Sequence, residues 1–482
     1  MFSPIRFLLN RREIEATEPP GMLVLDFLRR REMLMGTKEG CKEGDCGACA
    51  ALVGELSGGE VRYTPVTSCL LPLGELAGKH LVTVEGLNMQ RLSPVQDAIV
   101  SEGAAQCGFC TPGIVVSLTA RLMEKGAALS AEDVKYALSG HLCRCTGYAS
   151  LKRAGELVIR DAAQLGSSGS PSENIALMIA GGMLPEYFRE IPERLRKIQF
   201  PSSANGRQKP EVFIAGGTDL YVQRGETLPD MRVEVLNLHP EMKGVFEEKG
   251  EIHAGALTTF EEFAAHPLVQ QAIPEIRSYM HRNASWQIRN RATLGGNIVN
   301  ASPIGDMTIL LLVLDTSLTL KNGQKSRKLP LAGFYKGYKQ LAKKPAEIVT
   351  EIVFPKPSRS ARVNFEKVSK RKCLDIASVN SAIQITAGER VIQKVNLSLG
   401  GVAPIPLFLR RTCEFLAEKE ITPETIVQAA AIAQQEISPI SDVRGSAEYK
   451  RLLTRQLLFA HFAKLYPGYV IVRELLESGL IT

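Results

Sequence analysis

Gly40-Cys41-Lys42-Glu43-Gly44-Asp45-Cys46-Gly47-Ala48-Cys49 is the stretch that sets the fold of the first third of this chain. Three cysteines crowd one loop at C-x4-C-x2-C spacing, and Cys69 follows as a fourth. The loop is too rich in glycine for a helix. Gly40, Gly44 and Gly47 permit the left-handed turns that bring several thiols to one side. That spacing fits a [2Fe–2S] cluster, which needs four converging thiolates. A four-cysteine zinc site is the alternative, although zinc sites usually pair two C-x2-4-C knuckles. Working outward, Ile5 to Glu15 reads as a hairpin and Met22 to Met35 as a helix with Gly36 past its end. Ala51-Leu52-Val53 and Val61-Arg62-Tyr63 read as strands around a Gly58-Gly59 turn. The whole predicts a small α+β domain ending near Glu85.

A second set follows: Cys107 and Cys110 as C-x2-C, Cys143 and Cys145 as C-x-C. Eight of the ten cysteines therefore lie between Cys41 and Cys145. In a cytosolic chain such clustering reads as metal ligation rather than disulfides. C-x2-C alone fits zinc or a thiol redox pair equally well. Beside C-x-C and a complete set just before it, a second cluster is the better reading. Residues 90 to 163 read as helical, with starts at Ser93-Pro94 and Thr111-Pro112 and a capping box at Ser130 to Asp133. Helix N-termini facing a buried anionic cluster would stabilise its charge. His141 lies near Cys143, but four cysteines already complete each set. Cys373 and Cys413 read as buried small apolar residues.

Composition narrows the class. The chain has 482 residues, 45% hydrophobic and 23% charged, which predicts about three soluble domains. No apolar run reaches the ~18 residues of a membrane span, and no secretory signal is evident, so a cytoplasmic location is expected. A formal charge of +7 without a basic stripe argues against nucleic acid. Gly166 to Ser172 reads as a linker. Strands and helices then alternate to about Pro357. Val212-Phe213-Ile214-Ala215 reads as a buried strand entering a Gly-Gly turn, and Ile309 to Leu314 is a further apolar run. Strands dominate from Arg362 to Val402, and a helical tail runs from Pro423 to Leu465.

Longer motifs carry a resemblance. Gln106-Cys107-Gly108-Phe109-Cys110-Thr111-Pro112-Gly113 and Leu142-Cys143-Arg144-Cys145-Thr146-Gly147-Tyr148 resemble the helical [2Fe–2S] domain of the molybdenum hydroxylases. One departure is Ala149-Ser150-Leu151, where that family usually has Arg-Pro-Ile. Ile214-Ala215-Gly216-Gly217-Thr218-Asp219-Leu220 and Thr293-Leu294-Gly295-Gly296-Asn297-Ile298-Val299-Asn300-Ala301-Ser302-Pro303-Ile304-Gly305-Asp306 resemble its FAD-binding domain. They do not follow the Rossmann G-x-G-x-x-G pattern.

The resemblance implies a multidomain α+β chain: a β-grasp, plant-type [2Fe–2S] ferredoxin domain over 1–86; a helical-bundle [2Fe–2S] domain over 87–163; a linker over 164–174; an α+β FAD-binding domain of the vanillyl-alcohol-oxidase/MurB type over 175–358; and a C-terminal α+β flavoprotein domain over 359–482. It implies cluster ligation by Cys41, Cys46, Cys49 and Cys69, and by Cys107, Cys110, Cys143 and Cys145. FAD is expected at Phe213, Ile214, Ala215, Gly216, Gly217, Thr218, Asp219 and Leu220, and at Ala292, Thr293, Gly296, Asn297, Val299, Asn300, Gly305 and Asp306. Ile348, Val349 and Lys367 are expected against the flavin, and Phe334 to Lys339 as an aromatic loop near it. Arg371 and Asp375 align with charged residues on the side where NAD docks, and are expected to act in catalysis there by tuning the flavin. Gln106 aligns with a residue that contacts the molybdopterin of a partner.

The domain order is similar to the small subunit of the family's two-chain bacterial xanthine dehydrogenases. It implies electron transfer from a large molybdenum-cofactor subunit, through two clusters, to FAD and NAD, in a dimer of heterodimers. An aldehyde, nicotinate or another heterocycle as the partner's substrate, or oxygen as acceptor, is the alternative. A zinc-binding module without flavin is a second, from a different class.

Overall fold

A computed structural model describes residues 4–166, 169–198 and 209–470. The chain divides into two compact units. One comprises residues 1–238 with Ser285–Ala292, and the other His239–Ala284 with the chain from Thr293 onward.

The first unit opens on a five-stranded mixed sheet in the order Arg12–Ala16, Ile5–Leu9, His80–Val82, Ala50–Ser57, Glu60–Thr67. Ile5–Leu9 runs parallel to His80–Val82, and the other pairs are antiparallel. This is the β-grasp expected. Its helix is shorter than Met22 to Met35 and spans Val24–Arg30. Leu23 bridges to Pro72, which holds it extended. The amides of Arg31 and Glu32 both turn back to the Phe27 carbonyl, and Met33 takes a left-handed φ of 56°, so the helix closes there.

Helices Pro94–Ser101, Thr111–Lys125, Ala131–Leu138 and Ala149–Ala162 follow. Ser130 and Asp133 form the expected reciprocal cap. The segment that composition marks as a linker is in part a helix. Ser170 and Glu173 make a second capping box, with Pro171 at the first turn of Pro171–Ala180. Residues 167 and 168 of that segment lie outside the described residues. Ile175, Met178, Phe188, Ile191 and Leu195 join the same apolar core as the helices before them.

His80 is fully buried in this unit, 2.8 Å from the Tyr63 hydroxyl and 2.9 Å from the Asn10 carbonyl. Burial holds it down to about 3; the Asn10 carbonyl opposes this and the Arg194 charge adds to it. Tyr187 packs edge-on to the ring. The native state keeps this imidazole neutral, while an unfolded chain protonates it near 6.5. Stability is therefore intact above pH 6.5 and falls with pH toward 3, by about 1.4 kcal/mol per pH unit for one proton. Urea midpoints between pH 7 and pH 4 should show a shallower slope in His80→Gln than in the parent chain. Equal slopes would mean that another group sets the acid limit.

The second unit holds an antiparallel five-stranded sheet, Lys325–Pro330, Ser317–Asn322, Ile348–Pro355, Glu251–Gly255, Val245–Glu248. It also holds a four-stranded antiparallel sheet, Ala361–Val368, Val379–Ala387, Ile392–Gly400, Leu407–Phe408. Helices Arg410–Leu416, Pro423–Glu436 and Ala447–Leu465 cover the latter and share its core. The apolar run Ile309 to Leu314 is mostly helix, within Asp306–Val313, and buried on every side. A helix without a polar face shows no period that would separate it from a strand. Among the described residues no helix is long and apolar enough to cross a membrane.

Candidate functional site

The loop from Gly36 to Cys49 carries no regular structure, and Lys42, Gly44 and Gly47 lie at positive φ. Cys49 immediately precedes the strand Ala50–Ser57, and Cys69 lies in a short 3-10 turn after Glu60–Thr67. The antiparallel pairing of these two strands brings the two cysteines together. Ser68 ties them further, its hydroxyl donating to the Cys49 carbonyl at 2.7 Å.

The thiols meet in pairs. The Cys46 thiol and the backbone amides of Glu43, Cys46 and Asp45 hold Cys41 down to about 5, against its burial. The Cys69 thiol likewise holds Cys49 low, while Cys69 is pushed up by Cys49. In the second set, the Cys145 and Cys107 sulfurs lie 3.6 Å apart. Burial and the Cys143 thiol push Cys110 up to about 12. Two pairs per set suit a cluster of two irons, each taking two thiolates. The donor chemistry thus fits [2Fe–2S].

Cys110 is the N-cap residue of Thr111–Lys125, with Pro112 in the first turn, so this helix presents its N-terminus at the second set. Cys143 and Cys145 precede the helix Ala149–Ala162, which starts after left-handed Gly147 and Tyr148. The Tyr148 hydroxyl donates to the His141 carbonyl at 2.8 Å and accepts from the Cys143 amide at 3.0 Å. Gln106 donates to the Cys145 carbonyl at 3.3 Å. Cys107 and Cys145 are exposed, as are Phe109 and Leu142 beside them.

The two cysteine loops interlock. The Leu142 amide donates to the Cys46 carbonyl at 3.1 Å. A Cβ built on Gly47 would lie 2.3 Å from the Gly140 carbonyl oxygen and 2.4 Å from His141 Nδ1. One built on Gly113 would lie 2.3 Å from the Gly47 carbonyl oxygen. Glycine at these positions is a condition of closest approach between the loops.

Sequence reasoning set His141 aside, yet it is part of this contact. Fully buried, it places Nε2 2.8 Å from Ser117 Oγ and 3.1 Å from Gln287 Nε2. Gln287 also donates to Ser117 Oγ at 2.8 Å. Nothing local signals Gln287, because it lies 146 positions from His141. It belongs to Ser285–Ala292, whose Ile288 packs on Gly44 and whose Asn290 donates to the Pro65 carbonyl at 3.0 Å.

Of the residues expected at FAD, Phe213 to Leu220 lie in the first unit. Val212–Ile214 pairs in parallel with Val233–Val235 and feeds a turn with Gly217 at φ 70°. Leu220 begins a short helix, Leu220–Arg224, and Asp219 precedes it. Val212 and Ile214 share one apolar core with Cys49, Cys69 and Leu70, so the turn is built directly on the first cysteine set. Ala292 belongs to the same unit and meets Gly216 closely.

The remaining FAD residues lie in the second unit. Thr293 caps the helix Leu294–Asn300 through the Gly296 amide. Gly295 abuts Ala256. Asn297 Oδ1 accepts from the Thr308 amide and hydroxyl, which fixes the loop through Gly305. Lys339, within the expected aromatic loop, donates to the Asn300 carbonyl at 2.6 Å. Lys367 and Asp306 form a buried ion pair at 2.7 Å, and Asn380 donates to the same carboxylate. Ile348 and Val349 open their strand, with Val349 buried. Arg371 and Asp375 are brought together, the Asp375 carboxylate accepting from the Arg371 amide at 2.9 Å. The backbone between them turns at left-handed Leu374.

Four family models match in series. A 2Fe-2S iron-sulfur cluster binding domain matches residues 7–73, and a [2Fe-2S] binding domain matches 83–156. An FAD binding domain in molybdopterin dehydrogenase matches 199–357, and the CO dehydrogenase flavoprotein C-terminal domain matches 365–465. Xanthine dehydrogenase of Drosophila pseudoobscura pseudoobscura is 28% identical over 546 residues, covering 100% of this chain and 40% of the relative. That of Blastobotrys adeninivorans is 29% identical over 589 residues, covering 99% of this chain and 42% of the relative. The chain thus spans about two fifths of the length of these relatives. Among solved structures, reconstituted CO dehydrogenase from Oligotropha carboxidovorans is similar at 26% identity and a TM-score of 0.49, covering 51% of this chain and 86% of that one.

Proposed function

Because this chain carries the iron–sulfur and flavin domains of the molybdenum hydroxylase family, we propose that it is the electron-transfer part of such an enzyme, with two [2Fe–2S] clusters and FAD. The observation that carries this reading is the packing of one unit. Two cysteine sets interlock through Gly47, Gly113 and Gly140, and the Gly-Gly turn shares a core with Cys49 and Cys69. Bound there, the clusters supply one-electron carriers, and FAD supplies the exchange between one- and two-electron chemistry.

The chain's own residues hold and orient. Cys41, Cys46, Cys49 and Cys69 would ligate one cluster, and Cys107, Cys110, Cys143 and Cys145 the other. The hydrogen bond from Leu142 to Cys46 links the two ligand-bearing loops directly. Gly216, Gly217 and Thr218 would receive the FAD diphosphate on backbone amides, with Phe213, Ile214, Ala215, Asp219 and Leu220 around them. Ala292, and in the second unit Thr293, Gly296, Asn297, Val299, Asn300, Gly305 and Asp306, are likewise proposed as FAD contacts, with Ile348, Val349 and Lys367 for the flavin. Arg371 and Asp375 would face the acceptor, one charge of each sign tuning the flavin.

The partner is a molybdenum-cofactor chain. Exposed Phe109 and Leu142 beside exposed Cys107 and Cys145 suit a covered surface there, and Gln106 lies on the same rim. Relatives named xanthine dehydrogenase favour a purine as the substrate of that partner. NAD as acceptor, a cytoplasmic location and a dimer of two-chain units are part of the same proposal. An aldehyde, nicotinate or another heterocycle is the second reading, because this chain carries little that would meet the substrate. The test is an anaerobic titration of the purified chain with NADH, followed by visible absorbance. Flavin and iron–sulfur bands should bleach together. Bleaching by dithionite but not by NADH would remove NAD as the acceptor and leave oxygen or another carrier.

A further inference from the structure

We propose that Arg291 and Glu75 are positioning residues for the diphosphate of FAD, acting through the peptide that joins Gly216 to Gly217. This rests on the reading above that the Gly-Gly turn receives that diphosphate. Arg291 is buried, with 2% of its side chain exposed, and its guanidinium forks. Nη1 donates to Glu75 Oε1 at 2.6 Å, and Nη2 donates to the Gly216 carbonyl at 2.7 Å. Glu75 is 8% exposed and lies in the 3-10 turn Leu73–Leu76 of the ferredoxin domain, just past Cys69. Lys79, also buried, stands 3.8 Å from the same carboxylate oxygen. Burial favours the neutral acid, but the Arg291 and Lys79 charges prevail and hold Glu75 down to about 2.

The geometry has a direct consequence for the turn. In a trans peptide the N–H points opposite to the C=O. A guanidinium that captures the Gly216 carbonyl therefore aims the Gly217 N–H away from the protein interior. That N–H donates to no other described residue. Gly217 is partly exposed, whereas Gly216 is buried against the Arg291 carbonyl, where an added Cβ would lie 2.0 Å away. The fork is itself held by a carboxylate that nothing in the turn supplies. A residue of the ferredoxin domain thus fixes the donor that an anionic diphosphate would use. Lys79 also pairs with the Glu55 carboxylate at 3.2 Å, so the four groups balance, and the pair acts by orienting the peptide rather than by net charge. Lysine at 291 would keep the charge but not the fork that reaches carboxylate and carbonyl together.

The experiment uses the full chain with its clusters in place and its flavin removed. FAD and ADP, which carries adenosine and a diphosphate without the flavin, are titrated into it. The variants are Glu75→Gln, Arg291→Lys and the double variant Glu75→Leu/Arg291→Met. The double variant removes both members of the pair while Lys79 keeps Glu55 at 3.2 Å, and so guards against a folding failure in the single ones. In each, the dissociation constants of FAD and ADP should rise at least tenfold together, while iron content and cluster absorbance stay at parental levels. Arg291→Lys, which keeps the charge without the fork, should lose less than the double variant. Unchanged affinity in the double variant, with clusters retained, overturns the proposal. So does a loss of FAD affinity without a parallel loss for ADP, since the diphosphate is then not what the pair serves. Gly216→Ala is the separate arm: if it leaves both affinities intact, the turn does not hold FAD and the parent reading falls first.

Discussion

Gly47→Ala should strip the chain of both clusters at once. The added methyl would lie 2.3 Å from the Gly140 carbonyl oxygen and 2.4 Å from His141, and the backbone there is left-handed at φ 70°. Neither neighbour is the free end of a flexible side chain. One is backbone beside the second cysteine loop, and the other is an imidazole held by Ser117 and Gln287. Relief requires the loops to separate, which breaks the hydrogen bond from Leu142 to Cys46 and displaces ligands of both sets. The cost is expected above about 4 kcal/mol, in the range reserved for severe core lesions. Gly58→Ala is the control. Its φ is 59°, but nothing lies within 4 Å of the added atom, so only left-handed strain of about 1–2 kcal/mol applies. Iron analysis and visible absorbance of both variants decide the matter. Full iron in Gly47→Ala would show that the loops are not in contact through this glycine.

Lys367→Met should destabilise the second unit by about 3–5 kcal/mol, the usual cost of removing one partner of a buried ion pair. Lys367 has 2% of its side chain exposed and Asp306 has 10%. Lys367 also donates to the Arg282 carbonyl at 2.9 Å, an acceptor the variant leaves without its lysine. Asp306 would keep the Asn380 amide, which binds the carboxylate without neutralising it. Adding Asp306→Asn should recover most of the loss, since the remaining amide pairs with Asn380 without a net charge. Thermal unfolding of the parent, the single and the double variants measures this. A single variant within about 0.5 kcal/mol of the parent would mean that water already solvates the pair. Flavin content of the same samples reports whether the pair also serves FAD.

Both glycine positions and the Lys367–Asp306 pair fall in motifs that the sequence displays. Cysteine spacing announces the two cluster sites because metal chemistry constrains local separation, and the loops need nearby glycines. Strand and helix starts were legible where capping chemistry is local, as at Ser130. At Ser170 and Glu173 the same cap sits inside a Gly-Ser run whose composition points to a linker. The Met22 to Met35 pattern carries helical apolar spacing, and its start is shortened by the pairing of Leu23 with Pro72. That contact joins residues far apart in sequence. The same holds for Gln287 with His141, and for Arg291 with Glu75. No period, cap or motif marks a side chain whose partner arrives from 216 positions away.

The segment Ser285–Ala292 also bears on the order of synthesis. Trp286 closes the apolar core beside the helical domain, and its ring stacks under the Arg121 guanidinium. Gln287 and Arg291 complete the polar contacts of His141 and Glu75. A nascent chain that has emerged only as far as Leu238 lacks all three. Its cysteines are already made, yet the buried histidine and carboxylate beside them still lack these partners. Loading of iron during translation would then meet an unfinished receptacle. Until residue 292 has left the ribosome, the contacts of this segment with His141 and Glu75 cannot form, although all eight ligand cysteines have already been made.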